Sequence, residues 1–143
     1  MKYVKINKKV AGPGLYNLMT EIRETIKNFS CHSTVKSGVL HLFNMHTSSA
    51  LTINESYDPS AKRDLERFLN YLAPKNLPFI EHTLEGADDS PAHMKAALLN
   101  QHLALIVEEG EIVIGQWQGV YLAEFRDHPK ERTVLVKFQP DLT

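Results

Sequence analysis

From Leu103 onward the chain reads as one strand after another. Residues 103–107 and 111–114 flank Glu108-Glu109-Gly110 as a hairpin. Residues 116–125 form a further strand and residues 133–138 the last, joined by Arg126-Asp127-His128-Pro129-Lys130. Consecutive strands of this kind require a sheet, and a sheet must bury a face against something. The first two-thirds supply more strands and the cover. Residues 1–10 read as a strand, and Ala11-Gly12-Pro13-Gly14 breaks it. Leu15, Leu18, Ile22, Ile26 and Phe29 then recur at helical spacing, which predicts an amphipathic helix over 15–29 with its stripe in the core. Ser37-Gly38 turns the chain into strands at 39–45 and 50–54. Asp58-Pro59-Ser60 starts a helix over 61–73, with Leu65, Phe68, Leu69 and Leu72 inward and Arg63, Glu66 and Arg67 in solvent; Pro74 and Pro78 end it. Ser90 as N-cap and Pro91 as first helical residue start a third helix, with His93 in its first turn. Strands around three helices predict an α+β fold.

The length of 143 residues suits one domain, 1–143, with a real core. A net charge of -1 with interspersed signs excludes the broad basic face of a nucleic-acid binder. Cys31 is the single cysteine, so no intramolecular disulfide forms; this fits a reducing cytoplasm, with Cys31 as a small buried or half-buried filler. The first residues carry no long apolar run, so neither a signal peptide nor a membrane span is expected there.

Three histidines stand in polar settings. His46 opens His46-Thr47-Ser48-Ser49-Ala50, followed by Asn54 and Glu55. His82 follows Glu81, and His93 closes Asp88-Asp89-Ser90-Pro91-Ala92-His93. Neutral imidazole is the commonest metal ligand and the side chain best suited to proton transfer near neutral pH. These ligands would come from a strand end, a loop and a helix start, and no His-x-x-x-His spacing joins them. If the strands at 39–45 and 50–54 stay in one register, Asn44, His46, Ser48, Thr52 and Asn54 share a polar face backed by Phe43, Leu51 and Ile53; a kink at 47–49 breaks it. Asp88 and Asp89 either cap the third helix or bind a cation and orient His93. Glu55 is a general base or a surface charge. The free amides of the third helix would favour a substrate phosphate, with Arg126 or Arg132 as clamp. Trp117, between Gly115 and Gly119, reads as a core aromatic at a sheet bend, and Gln118 as either a pocket wall or a structural group. His32, His41, His102 and His128 have less polar support and read as structural or surface residues.

In order along the chain, His46-Thr47-Ser48-Ser49-Ala50 with Asn54-Glu55, Asp58 and Asp64, His82 with Glu85-Gly86, Asp88-Asp89 with Pro91-Ala92-His93-Met94-Lys95, Gly115 with Trp117-Gln118-Gly119, and Glu124 with Arg126-Asp127 resemble the YjbQ-like family, also described as the secondary thiamine-phosphate synthase family. Gln116 departs from the small residue or threonine that the family often carries there. The resemblance implies a small, mainly antiparallel α+β fold with about three helices, assembled as a homotrimer. It implies a histidine-lined pocket near a subunit boundary, with His46, His82 and His93 as ligands of a divalent metal: zinc by the histidines, or magnesium with a phosphorylated substrate. It also implies a weak thiamine-phosphate synthase activity, joining a pyrimidine diphosphate to a thiazole phosphate and releasing pyrophosphate.

Three functions are therefore expected to compete. The first is a metal-assisted transferase on small phosphorylated molecules, with Glu55 or Asp89 as base or outer partner, Gln118 at the reacting groups, and Ser48, Asn54 and Arg126 holding phosphate. The second is a metal-assisted hydrolase, and the third a non-enzymatic trimer that binds a metal or ligand.

Overall fold

The computed structural model describes residues 3–32 and 34–142. Met1 and Lys2, at the head of the first expected strand, lie outside the described residues. In chain order the elements are β1 (Val4–Val10), β2 (Gly14–Asn17), α1 (Met19–Cys31), β3 (Gly38–Asn44), β4 (Ser49–Glu55), α2 (Pro59–Leu72), α3 (Asp89–Leu98), β5 (His102–Glu108), β6 (Glu111–Ile112), β7 (Gln118–Glu124) and β8 (Lys130–Pro140). The strands make two antiparallel sheets, one ordered β1-β8-β3-β5-β6 and the other β2-β7-β4.

Strand β7 shows why two sheets form. Everything in it after Gln118 is buried, so both its faces need cover. Its Val120 and Leu122 point into the main core, with Leu40 and Leu42 of β3, Val134 and Val136 of β8, and Ile22 and Ile26 of α1. The alternate residues Tyr121 and Ala123 enter a second core with Leu69 of α2 and Ala92 and Ala96 of α3. The large curved sheet and α1 thus cover one face of the small sheet, and α2 and α3 cover the other. This is the expected α+β fold, with antiparallel sheets curled as a half-barrel around one main core. No helix of the described residues is long and apolar enough to cross a membrane.

Local signals placed most elements. Asp58 caps α2 by accepting the Ser60 N–H at 2.9 Å, and Pro59 opens the helix. Several expectations are corrected. The helix expected over 15–29 begins only at Met19: residues 14–17 pair with β7 as β2, and Leu15 is buried by the second core. Ladder pairing overrides a helical spacing that Leu15 and Leu18 share by coincidence, and Asn17 Oδ1 accepts the Met19 N–H at 2.8 Å where the helix starts. Phe68 and Leu72 of α2 are exposed, because the inward face of that helix runs through Leu65, Leu69 and Ala73.

Helix α3 starts at Asp89 with Asp88 in the cap position, not at Ser90; both carboxylates turn away from the helix end toward Arg126. Pro91 is tolerated because its missing N–H is among the first four, which have no intrahelical partner. Residues 45–48 link strands that belong to different sheets, so the single polar face of 44–54 does not form and Phe43 lies half-exposed. Cys31 is exposed at the end of α1. Trp117 is 51% exposed, set edge-on to Tyr57 with ring centroids 4.8 Å apart, because residues 115–117 turn before β7 begins.

Candidate metal centre

The first turn of α3 puts Asp89 and His93 on one face, four residues apart. The loop before the helix brings His82 to the same place. His82 Nε2 lies 2.8 Å and His93 Nε2 3.1 Å from a single oxygen, Asp89 Oδ2. Asp89 is buried, His93 partly buried and His82 exposed, so the group opens to solvent on one side. The other nitrogen of His93, Nδ1, lies 2.8 Å from the Thr47 carbonyl. A carbonyl only accepts, so Nδ1 carries the proton. A neutral His93 then aims its Nε2 lone pair at an anionic oxygen, and that repulsion is relieved only by a cation held between them. A metal ion bound between the two atoms supplies that positive charge. A backbone carbonyl fixing the far nitrogen is the usual outer partner of a metal-bound histidine. The donor set of two imidazoles and one carboxylate therefore fits a divalent ion.

Arg126 braces this group from behind. Its Nη1 donates to Asp89 Oδ1 at 2.7 Å, its Nε to Asp88 Oδ2 at 2.8 Å, and its Nη2 to the Glu85 carbonyl at 2.9 Å. Burial pulls the Asp88 pKa upward, but the Asp127 amide and the Arg126 guanidinium outweigh it and hold the carboxyl at about 2. Burial opposes ionisation of Asp89 as well. The hydrogen bond from His82 and the charges of His93 and Arg126 prevail, and its pKa is lowered. Both acids are thus anionic at neutral pH.

His46 lines an open pocket of about 820 Å³ whose walls also include Thr47, His82, Ser90, His93 and Gln101. Its Nε2 accepts the Thr133 amide at 2.9 Å, which commits that lone pair and leaves the proton on Nδ1. Burial, then the positive charge of Arg132, lowers its pKa and keeps the ring neutral. His46 therefore shares the pocket with His82 and His93, but Asp89 stands in the ligand cluster where His46 was expected. Behind His46, the buried Glu124 and Arg132 form an ion pair, and Arg132 Nη2 also donates to Ser48 Oγ at 2.9 Å. Ser48 is thereby an anchor for the chain that carries His46 and Thr47.

Other expected residues lie apart. Glu55 accepts the backbone N–H groups of Tyr57 and Asp58 in the turn before α2. Asn54 Oδ1 accepts the Glu55 N–H. Gln118 pairs with Glu55 across the β4–β7 ladder and closes its own turn through the Gly115 N–H at 2.8 Å. None of these three lines the histidine pocket. Sequence reasoning missed Thr47 as a partner of His93, because a backbone carbonyl leaves no side-chain signal. It also missed Gln101, which bridges Asn44 and the Ser49 carbonyl at 2.8 and 3.0 Å. The Asp89-x-x-x-His93 spacing was visible and marks the ligand face of α3.

A small α+β domain with an open histidine-lined pocket, two of whose histidines meet a buried aspartate, is the class that fold and site define. The model of the family described as UPF0047 protein YjbQ-like matches residues 9–141, and the chain belongs to that family. UPF0047 protein YjbQ of Escherichia coli O157:H7 is 40% identical over 124 residues, covering 87% of this chain and 88% of that protein. UPF0047 protein YugU of Bacillus subtilis is 34% identical over 83% of this chain and 87% of its own length. Among solved structures, a conserved hypothetical protein from Thermus thermophilus superposes with a TM-score of 0.83 at 34% identity, covering 95% of this chain and 99% of that one. An uncharacterised YjbQ/UPF0047 protein from Clostridium acetobutylicum gives 0.84 at 31% identity over the same shares.

Proposed function

We propose that the chain is a metal-dependent enzyme acting on a small molecule, with one divalent ion held by His82, Asp89 and His93. The observation that carries this reading is the convergence of two ring nitrogens on Asp89 Oδ2 while the His93 proton is committed to Thr47. Three protein ligands leave positions for substrate or water, the pattern of a catalytic site. When bound, such an ion stabilises negative charge on a leaving group and acidifies water. Zinc suits the two histidines and iron also takes this donor set, while magnesium would depend on phosphate oxygens of a substrate. His46, which lines the same pocket, holds an Nδ1–H, a donor for a substrate oxygen.

Thiamine-phosphate synthesis, the activity that the resemblance implies, is the first reaction to test. Hydrolysis is the second reading, and one feature favours it: among the described residues the pocket wall contains no lysine or arginine. Arg126 and Arg132 are both spent on carboxylates, so two phosphorylated substrates would find little positive charge besides the ion. The homotrimer belongs to the same reading. Phe43 and Met45, about half exposed on the open side of the pocket, give a second copy an apolar rim to cover.

Elemental analysis of untagged protein tests the metal, with about one ion per chain expected in the wild type. The metal-loaded protein is then given the pyrimidine diphosphate with the thiazole phosphate, and separately a panel of phosphate esters and amides. Pyrophosphate release that requires both partners supports transfer, and release with water alone supports hydrolysis. Tight metal without turnover in either arm leaves a binding module. Arg126→Lys, which keeps the charge but loses the fork, is expected to weaken metal binding by roughly 10–100-fold, read by competition with a chelator.

A further inference from the structure

Helix α3 has a second polar face. Opposite the histidine pocket, Pro91 and Lys95 of α3, with Glu66, Leu69 and Asn70 of α2 and Ala73 at its C-terminal cap, help to wall a cavity of about 320 Å³. With that cap, the α2 residues recur at i, i+3, i+4 and i+7, so one face of that helix looks into it. Leu15 and Phe125 complete an apolar wall. None of these side chains takes part in the histidine cluster, and the cavity is near the lower end of small-molecule sites in size.

Lys95 is the unusual group in this wall. It is only 8% exposed, and its Nζ donates to Asn70 Oδ1 at 2.6 Å. Nζ also stands 5.9 Å from the centre of the Phe125 ring. An ammonium has three donors, so two remain. Among the described residues no carboxylate lies within ion-pair distance of it. A buried cation without a counter-ion is costly and stays favourable only where something completes its shell.

The other charges on the wall are mostly matched. Asp127 pairs with Lys75, Asp88 with Arg126, and Glu124 with Arg132. Glu66 is the wall carboxylate without a cationic partner among the described residues. The cavity therefore offers one free ammonium against apolar side chains, with Glu66 as the one unmatched acid to oppose a second negative charge on a ligand. We propose that this cavity is a second binding site, for a small monocarboxylic acid with an apolar body whose carboxylate bonds Lys95 Nζ. The carboxylate supplies the missing counter-ion, and Leu15, Leu69, Ala73 and Phe125 take the hydrocarbon. An amino acid with an aliphatic side chain offers the same carboxylate and adds an ammonium within the field of Glu66. The site is independent of the metal reading, and its test contains no metal.

The full chain, labelled with ¹⁵N, is titrated with 4-methylpentanoate, leucine and isopentyl phosphate. Amide shifts at Phe125 and at the Asn70 side chain report occupancy. Saturable shifts with 4-methylpentanoate or leucine are expected, with weaker binding of the dianionic phosphate ester. Lys95→Met keeps the stem and removes the charge. It is expected to weaken carboxylate binding roughly tenfold or more, the loss of a charge-assisted hydrogen bond. Ala73→Leu keeps Lys95 but fills the cavity, and is expected to abolish binding in a protein whose remaining spectrum is unchanged. Tighter leucine than 4-methylpentanoate binding, lost in Glu66→Gln, supports the amino-acid form. No saturable binding of either acid overturns the proposal. So does carboxylate binding unaffected in both folded variants, or tighter binding of isopentyl phosphate.

Discussion

On the proposed reading of His82, Asp89 and His93 as metal ligands, Asp89→Asn is expected to erase the stabilisation that added zinc gives the wild type. Bound to the folded state only, an ion at a hundred times its dissociation constant adds about 2.7 kcal/mol, which for a chain of this size moves the melting temperature by roughly 5–10 °C. The carboxylate carries that effect because it is the anionic member of the cluster and the point on which both ring nitrogens converge. The amide keeps the shape and removes the charge. A neutral amide also leaves Arg126 Nη1 with a weaker acceptor, so the metal-free variant melts lower than metal-free wild type. The loss of a charge-assisted hydrogen bond costs about 1.5–3 kcal/mol. The two effects separate in one experiment: melting of wild type and variant, each with chelator and with excess zinc. The decisive quantity is the difference between the two curves of the same protein. A zinc-induced shift in Asp89→Asn equal to that of wild type would remove Asp89 from the site. His93→Ala serves as the independent check, because it deletes a ligand without touching Arg126.

Much of this site was legible in the sequence, because its side chains sit on strong local signals. Asp58-Pro59 marked α2, the residues around Ser90-Pro91 marked α3, and His82 and His93 carried their polar neighbours with them. What the sequence did not disclose is long-range. His46 is separated from Thr133 by most of the chain, and only the packing of residues 45–48 against β8 shows that Thr133 takes its Nε2. Glu55 and Gln118 looked chemical because they are polar residues in matched segments. Each is spent on backbone N–H groups of its own turn, a local use that composition does not separate from catalysis. Leu15 shows the same limit for the fold: its spacing suited α1, and pairing with Ala123 of β7 placed it in another element. From its sequence setting Arg126 suits a phosphate clamp, because a guanidinium suits phosphate and carboxylate equally well. Only the fold reveals that Asp88 and Asp89 already occupy it.

Arg132→Met is expected to cost about 3–5 kcal/mol of folding stability, the usual penalty for breaking a buried ion pair from one side. Glu124 is 1% and Arg132 5% exposed, so neither charge can turn to water when its partner goes. Glu124 Oε1 also accepts the amides of Phe125 and Arg126 at 3.1 and 2.9 Å, which pins the chain at the root of the Arg126 brace. At the size of this chain the penalty is a fall of roughly 6–20 °C in melting temperature, measured by calorimetry or denaturant titration. Pairing Arg132→Met with Glu124→Gln removes the orphaned charge while keeping an oxygen for those two amides. The double variant is therefore expected to be more stable than Arg132→Met alone, which is non-additivity of the kind shown by contacting residues. If the double variant is instead as unstable as the sum of the singles, the pair matters by packing and not by charge. The consequence reaches the candidate metal site through Ser48. Arg132 holds Ser48 Oγ, and the next residue back, Thr47, offers the carbonyl that fixes His93. On the proposed metal reading, Arg132→Met should therefore weaken zinc binding in the fraction that remains folded, although Arg132 is not among the proposed ligands His82, Asp89 and His93, and the double variant should not recover it because Ser48 stays unanchored. Stability that returns while metal affinity does not would separate the two duties of this one guanidinium.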